Sequence, residues 1–402
     1  MKDEIRNSFP QLSREVYPGV KLVYFDNDAT SQKPEAVLSQ WRKWSSESNG
    51  NVHRGIHRLS NEATAALEQT RCFVASYINS PSEKQIVFTS GDTASLNLVA
   101  RGFSSAFMSA GDEVLLTCAE HHSNIVPWQI AAAEKGIVVK HIGVDENGEI
   151  DLKELESSLS PRTKIFSVAH ISNVLGIINP IAEIIDICHR HGVKVCVDGA
   201  QGIIHEKVDV QALDVDFYTF SGHKVYAANG SGVLYAKAEL LEAMPPAQGG
   251  GEMIETVSFE GTTFAKAPLK FEPGTPDYPA QITLVEALKT ADELRGNDTQ
   301  VTKYLYDSLR ADKRLVLYGT PKEESRKIGL FSFKVEGVSP EDIAILLDRM
   351  GIAVRSGELC AGPLMMELGV RGLTRVSIAP YNTMDEAEFF IKCLDKALKM
   401  LM

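Results

Sequence analysis

A lysine with two polar neighbours follows a short apolar segment near the middle of the chain. Residues 215–219 are predicted to form a buried strand, and Ser221, His223 and Lys224 come shortly after it. The Lys224 amine could form an imine with an aldehyde cofactor, and its polar neighbours could bind a phosphate group. A lone lysine is equally well explained as a solvated surface charge, so the catalytic interpretation depends on the rest of the chain.

Polar side chains also follow four other apolar segments. Asp92 and Thr93 open a predicted helix after residues 86–89, where backbone N–H groups and the Thr93 hydroxyl could bind a phosphate. His121, Asn173 and Asp198 follow the remaining three segments. Each of these residues also has an ordinary structural explanation, such as a helix cap or a structural histidine. Because ligands bind outside the carboxyl ends of parallel strands, we expect these strand ends to form one site.

Together the strand ends supply the groups that pyridoxal 5'-phosphate (PLP) requires. Lys224 is predicted to form the imine, and Asp198 is predicted to pair with the protonated ring nitrogen. Thr93, Ser221 and His223 are predicted to donate to the phosphate. His121 is predicted to stack on the ring, and Gln201 is predicted to donate to the phenolic oxygen. This combination favours a cofactor site over a set of unrelated structural residues.

The elements that must position these residues alternate regularly. Apolar strands and helical patterns between residues 86 and 235 predict an α/β fold with a mostly parallel sheet covered on both faces. A glycine- and proline-rich region over 248–276 ends this pattern and is predicted to be a loop. Beyond about residue 298 the pattern changes to α+β. We therefore predict a large PLP-binding domain over 21–284, a smaller α+β domain over 285–402, and an N-terminal segment over 1–20 that packs with the smaller domain.

The composition is typical of a globular protein with a sizeable core: 402 residues, 44% hydrophobic and 23% charged. Acidic residues outnumber basic ones by 53 to 41, and no basic cluster occurs, so nucleic acid is not an expected partner. Six cysteines without a C-x-x-C pair argue against a zinc ribbon, and no metal is expected. No signal peptide or apolar run of about 18 residues occurs, so we expect a cytoplasmic protein without a membrane span.

Short motifs occur in one order along almost the whole chain. They lie at residues 51–57, 121–128, 172–176, 197–201, 220–224, 249–254, 271–276, 354–357, 360–361 and 381–383. In these motifs the chain resembles the class V, fold type I PLP enzymes, and among them the SufS-type cysteine desulfurases. The resemblance implies the fold of a fold type I PLP-dependent transferase.

The resemblance also implies a reaction and a set of site residues. L-Cysteine would be converted to L-alanine, and Cys360 would take the sulfur as an enzyme persulfide. Arg375 matches the arginine that binds the substrate carboxylate, a bidentate contact for which its planar group is suited. Asn173 matches an asparagine near that carboxylate and the cofactor oxygen. Arg355 and Ala29 are also expected at the substrate site.

Partners follow from the same resemblance. The family implies a homodimer with its active site at the subunit interface, where Thr275 would reach the cofactor phosphate of the partner subunit. The sulfur would pass to an acceptor protein of the SufE or SufU type and serve iron–sulfur cluster assembly.

Four positions depart from the family pattern. Asp28 stands where alanine is usual, and its charge would repel the substrate carboxylate unless the side chain turns away. Asp92 places a carboxylate near the expected phosphate, although backbone donors would remain. Residues 226–232 replace a loop that usually contains Gly-Pro-Thr-Gly. Glu358 and Leu359 replace the polar or histidine pair that is usual before Cys360, and an anion there would disfavour the thiolate.

Two alternatives stay open from the sequence. A selenocysteine lyase, or another class V lyase that breaks C–S or C–N bonds, would share the scaffold and the cofactor. A PLP-binding protein with weak catalysis is the other alternative, motivated by the added carboxylates of Asp28, Asp92 and Glu358.

Overall fold

The computed structural model describes residues 2–402, of which the first two contribute backbone only. The helices of this part are α1 Lys2–Asn7, α2 Glu35–Ser46, α3 Arg58–Tyr77, α4 Asp92–Phe107, α5 Val126–Lys135, α6 Leu152–Ser158, α7 Ile181–Arg190, α8 Gly202–His205, α9 Ala238–Ala243, α10 Tyr278–Ile282, α11 Leu284–Leu294, α12 Thr299–Ala311, α13 Pro340–Arg349, α14 Gly362–Glu367 and α15 Met384–Leu401. The strands are β1 Glu15–Tyr17, β2 Val20–Lys21, β3 Val23–Tyr24, β4 Ile86–Thr89, β5 Glu113–Thr117, β6 Val138–Ile142, β7 Thr163–Ala169, β8 Lys194–Asp198, β9 Phe217–Ser221, β10 Gly232–Ala236, β11 Ile254–Val257, β12 Thr262–Phe264, β13 Leu315–Tyr318, β14 Leu330–Val335, β15 Ile352–Ala353, β16 Arg355–Gly357 and β17 Leu373–Ser377.

The largest sheet has seven strands in the order β4-β10-β9-β8-β7-β5-β6. Only β10 runs antiparallel to its neighbours, so the prediction of a mostly parallel α/β sheet is confirmed. Successive residues of one strand enter opposite cores: Phe217 lies in the cluster with α4 and α5, whereas Tyr218 lies in the cluster with α3 and α7. A sheet covered on both faces explains why its central strands read as continuous apolar runs.

A second sheet, antiparallel and four-stranded, has the order β13-β14-β17-β16. It packs with α12, α13 and α15 in a separate apolar cluster that includes Phe331, Val376 and Phe390. β3 joins this part of the molecule, because it pairs in parallel with β15. The segment that follows β3 lies beside the end of β17, because Asp26 forms a parallel bridge with Ser377.

Two details differ from the sequence patterns. The predicted loop over 248–276 contains the antiparallel pair β11 and β12, in which β-branched residues such as Thr256 and Thr263 favour extended structure. α11 begins at the predicted domain boundary, yet it packs in the core of the large sheet. The domain limits at 20/21 and 284/285 stay a proposal. Within residues 2–402 no helix combines the length and the apolar character needed to cross a membrane.

Candidate active site

A cavity of about 210 Å³ lies at the carboxyl ends of β5, β7, β8 and β9. It gathers most of the site residues expected from the sequence. These are Ala29, Asp92, Thr93, His121, Asn173, Asp198, Gln201, Ser221, His223, Lys224, Arg355 and Arg375. Cys360 and Thr275 do not line it.

Lys224 reaches the cavity through a short turn after β9. Ser221 is the last residue of that strand, and a single 3-10 turn, Gly222–Lys224, follows it. The turn requires glycine at position 222, because a Cβ atom there would lie 2.1 Å from the Ser231 Oγ. Asp198 ends the neighbouring strand β8, and its Oδ1 accepts a hydrogen bond of 3.0 Å from the Ala200 N–H. A lysine and a carboxylate thus enter the cavity from adjacent strand ends.

His121 presents a neutral ring to the cavity. Burial, and next the charge of Lys224, lower the pKa of His121 to about 4. The Ser123 N–H donates to Nδ1 at 3.1 Å, so the proton of the neutral ring lies on Nε2. The ring is therefore a hydrogen-bond donor at Nε2.

Donors suited to an anion lie at another side of the cavity. α4 begins at Asp92, and the N-terminus of a sixteen-residue helix attracts negative charge. The Thr93 and Ser123 hydroxyls contact each other at 2.7 Å, and the Ser221 Oγ accepts the Asp92 N–H at 2.6 Å. Burial and the charge of Lys224 lower the pKa of His223 to about 4. These groups can bind a phosphate.

The Asp92 side chain is buried beside Asp198. Burial, and next the charge of Asp198, raise the pKa of Asp92 well above its ordinary range. Its Oδ1 is buried and has no hydrogen-bond partner among the residues that the structure describes. A raised pKa favours the uncharged carboxyl group, which reduces the repulsion of a phosphate that the sequence led us to expect.

Two arginines enter the cavity from the small sheet. Arg355 on β16 and Arg375 on β17 are directly opposite each other. The Arg375 guanidinium contacts Asp28 through Nη1 and Asp26 through Nη2, the latter at 3.2 Å. Asp28 therefore does not turn away from the expected carboxylate site. It is paired with the arginine that was expected to bind the substrate.

Cys360 lies in a tight segment at the rim of the cavity and is half-buried. Leu359 and Cys360 both have left-handed backbone angles, with φ of +54° and +58°, which non-glycine residues rarely adopt. The Asn173 side chain donates to the Leu359 carbonyl at 2.8 Å, and the His122 N–H donates to the Cys360 carbonyl at the same distance. Arg355 Nη2 lies 3.6 Å from the Cys360 sulfur. The segment thus holds the thiol beside a positive group, while Glu358 is exposed.

The remaining cysteines are less suited to react with a cavity ligand. Cys118, Cys188, Cys196 and Cys393 are buried, and Cys72 is exposed on α3. Burial raises the pKa of the Cys188 thiol to about 12, which makes its thiolate scarce.

Thr275 lies outside the cavity of its own chain. It is exposed to solvent, and its hydroxyl donates to Asn51 Oδ1 at 3.2 Å. Within this chain it makes no contribution to the cavity lining.

Two functional contacts were not expected from the sequence. Asp26 contacts Arg375 together with Asp28. The available signal in the sequence was the occurrence of two aspartates, Asp26 and Asp28, directly after β3. Glu120 is buried behind His121 and accepts hydrogen bonds of 2.7 Å from Thr117 and Asn124. Adjacent polar residues, Glu120 and His121, were the available signal.

A second cavity of about 260 Å³ adjoins the first and shares Asp28, Gln201 and Lys224 with it. It is the larger of the two, but its lining lacks His121 and Asp198. The chemistry of the strand ends therefore belongs to the smaller cavity.

The donor set of the smaller cavity fits PLP. It combines an amine, a carboxylate on the neighbouring strand, a flat neutral imidazole and an anion site at a helix N-terminus, which suit the aldehyde, ring nitrogen, ring face and phosphate of that cofactor. The fold and this site define a PLP-dependent enzyme class. Residues 23–390 match the family model described as aminotransferase class-V, and the chain belongs to that family.

Several similar proteins are described as cysteine desulfurases. A probable cysteine desulfurase of Vibrio cholerae serotype O1 is 45% identical, over 99% of this chain and 99% of that protein. The structure of the cysteine desulfurase CsdA from Escherichia coli, solved with an S-sulfonic acid, has a TM-score of 0.90 and 38% identity over 100% of this chain and 99% of that one. The structure of a C-DES mutant with glycine covalently linked to its PLP cofactor has a TM-score of 0.82 and is 25% identical, over 97% of this chain and 98% of that one.

Proposed function

We propose that this chain is a PLP-dependent cysteine desulfurase that converts L-cysteine to L-alanine and keeps the sulfur as a persulfide on Cys360. One observation carries the proposal: Lys224, Asp198 and His121 line a single cavity, and Cys360 is held at its rim beside Arg355. The likeness to curated cysteine desulfurases over the full chain supports the same activity.

PLP, when bound, supplies an electron sink for bond breaking next to the substrate nitrogen. Lys224 would hold the aldehyde carbon of the cofactor, and Asp198 would pair with its ring nitrogen. His121 would lie against the ring and could offer the proton on Nε2. Thr93, Ser221, His223 and the first turn of α4 would bind the phosphate, and Gln201 would donate to the phenolic oxygen.

Cys360 carries the sulfur step. Its sulfur forms a bond to the sulfur of the substrate while the C–S bond of the substrate breaks. The carbon fragment takes up a proton and leaves as L-alanine, and the enzyme retains one additional sulfur atom. Arg355, 3.6 Å from the Cys360 sulfur, stabilises negative charge there before the attack.

The assembly and the pathway are further parts of the proposal. We infer a homodimer in which Thr275 of each subunit contacts the cofactor phosphate of the other, because Thr275 is exposed and outside its own cavity. SufS-type function, a sulfur acceptor of the SufE or SufU type and supply to iron–sulfur assembly follow from the motifs. All six cysteines are free thiols, which suits a reducing compartment, and we place the enzyme in the cytoplasm.

Substitution of the nucleophile tests the function. Cys360→Ser should retain the visible absorbance of bound PLP but lose alanine formation from L-cysteine by about a hundredfold or more, because hydroxyl oxygen does not accept the sulfur. The control is Cys72→Ser, which removes an exposed thiol on α3 and should keep full activity. Undiminished alanine formation by Cys360→Ser would refute the assigned nucleophile.

A further inference from the structure

The Arg375 end of the cavity already contains a carboxylate of the chain itself. Asp28 Oδ2 forms an ion pair with Arg375 Nη1, and both side chains are almost completely buried. The same Nη1 donates to the Asn173 carbonyl at 2.8 Å, and Nη2 contacts Asp26 at 3.2 Å. An incoming carboxylate at this guanidinium would therefore meet Asp28.

The backbone holds Asp28 in this place. Its N–H donates to the Ser377 Oγ at 2.9 Å, and its carbonyl accepts from Gln201 Nε2 at 3.0 Å. Ser377 lies on β17, the strand that also carries Arg375. These two hydrogen bonds fix the Asp28 main chain beside β17, so that its short side chain stays within reach of the guanidinium.

The ion pair is incompletely hydrogen-bonded. Within the described part of the chain, both Asp28 carboxylate oxygens and Arg375 Nε are buried without a hydrogen-bond partner of good geometry. The Arg375 guanidinium therefore retains donor capacity that a bidentate carboxylate would use. Charge, rather than a shortage of donors, opposes such a ligand.

The charges at this end are balanced before any ligand binds. Arg355 and Arg375 are opposite each other on neighbouring strands, and Asp26 and Asp28 lie on the segment after β3. Removal of Asp28 would leave the arginines in excess. The balanced set favours an uncharged group over an anion, because opposite charges attract and like charges repel across a short buried distance.

We propose that Asp28 is a specificity-determining residue that weakens the binding of the α-carboxylate of L-cysteine at Arg375 and so reduces the preference of the site for a carboxylate over an uncharged carboxamide. This inference rests on the proposed desulfurase function and concerns how strongly that site selects the carboxylate of its substrate. Asp28 also offsets the repulsion between the two arginines, so the measurement must report on substrate choice and not on stability.

The test compares L-cysteine with L-cysteinamide as sulfur donors to the holoenzyme. The ratio of kcat/KM for L-cysteine to that for L-cysteinamide should rise by about tenfold or more in Asp28→Ala and in Asp28→Asn, mainly through KM for L-cysteine. Asp216→Asn is the matched control, because Asp216 is a buried carboxylate in an ion pair with Lys194 and does not line the cavity. Its ratio should equal that of the wild type.

A binding measurement separates this inference from the proposed function. Calorimetric titration of the holoenzyme with 3-mercaptopropionate, a carboxylate without an amine, should give a Kd about tenfold lower in both Asp28 variants and unchanged in Asp216→Asn. If no variant desulfurates either donor but the Kd still falls, the function fails and the role of Asp28 stands. An unchanged ratio together with an unchanged Kd in PLP-loaded Asp28 variants would overturn the inference.

Ser377→Ala provides a second route if the Asp28 variants do not fold. This change removes the hydroxyl that accepts the Asp28 N–H and leaves every charge in place. The ratio and the Kd should shift in the same direction as in the Asp28 variants, by a smaller factor. Wild-type values for both quantities would contradict the inference.

Discussion

Burial sets the protonation of individual side chains around the cavity. Burial raises the pKa of Glu120 to about 8, and it lowers the pKa of His170 to about 4. The hydrogen bonds that Glu120 accepts from Thr117 and Asn124 oppose this rise but do not cancel it. The environment of the site therefore favours neutral forms of groups that are charged in water.

Glu120→Gln tests this effect through stability. Glutamate in an unfolded chain has a pKa of about 4.3. Between about pH 4 and pH 8 the folded wild type therefore keeps a proton that the unfolded chain has lost. The stability of the wild type falls as the pH rises through this interval. The variant lacks this ionisation. Across this interval the free energy of unfolding of the cofactor-free wild type should fall relative to that of the cofactor-free variant by roughly a few kcal/mol.

Urea unfolding at several pH values measures the difference. The exposed Glu154 provides the control, because Glu154→Gln should leave the pH dependence of stability unchanged. Parallel stability curves for Glu120→Gln and the wild type would contradict the raised pKa.

A buried ion pair joins three elements on the side of the large sheet. Arg71 on α3 contacts Glu272 at 2.5 Å and donates to the Ile86 carbonyl at 2.9 Å, and Glu272 accepts the Phe88 N–H on β4 at 2.7 Å. The Arg71 guanidinium also lies over the Phe88 ring, 4.4 Å from its centroid. This network fixes Glu272, three residues before Thr275, against α3 and β4.

Arg71→Leu should destabilise the protein by about 3–5 kcal/mol, because it leaves the Glu272 charge buried without a partner. The double variant Arg71→Leu/Glu272→Gln keeps an acceptor for the Phe88 N–H and removes that charge, so it should recover part of the loss. Urea unfolding at pH 7 measures both. A single variant as stable as the wild type would show that the pair contributes little.

Two exposed apolar side chains lie on the hairpin formed by β11 and β12. Phe259, between β11 and β12, is fully exposed, and Val257 is 64% exposed. Thr275 is also exposed, outside the cavity of its chain. Apolar side chains this exposed are typical of an interaction surface, and the proposed homodimer would cover them.

Phe259→Asp should raise the dimer dissociation constant by about tenfold or more, because a charge replaces an apolar contact. Size-exclusion chromatography with light scattering over a dilution series measures the change. Ile345→Asp is the control, since Ile345 is 58% exposed on α13, away from the hairpin. Equal dissociation constants for Phe259→Asp and the wild type would place the interface elsewhere.

The sequence alone predicted the parallel sheet and the convergence of Lys224, Asp198 and His121. Strand positions follow from local apolar patterns, and parallel strands bring their carboxyl ends to one edge whatever the details of packing. The predicted loop over 248–276 was partly wrong because the two short strands in it are exposed and lack an apolar pattern.

The tertiary structure decided what the added carboxylates do. Asp28 and Arg375 lie far apart in the chain, and their contact depends on how β17 packs beside the segment after β3. The place of Cys360 likewise depends on hydrogen bonds from Asn173 and His122 in the large sheet region. Local residue type determines which groups are available for chemistry. Long-range packing determines which charges meet, since a local pattern contains no information about distances between remote segments.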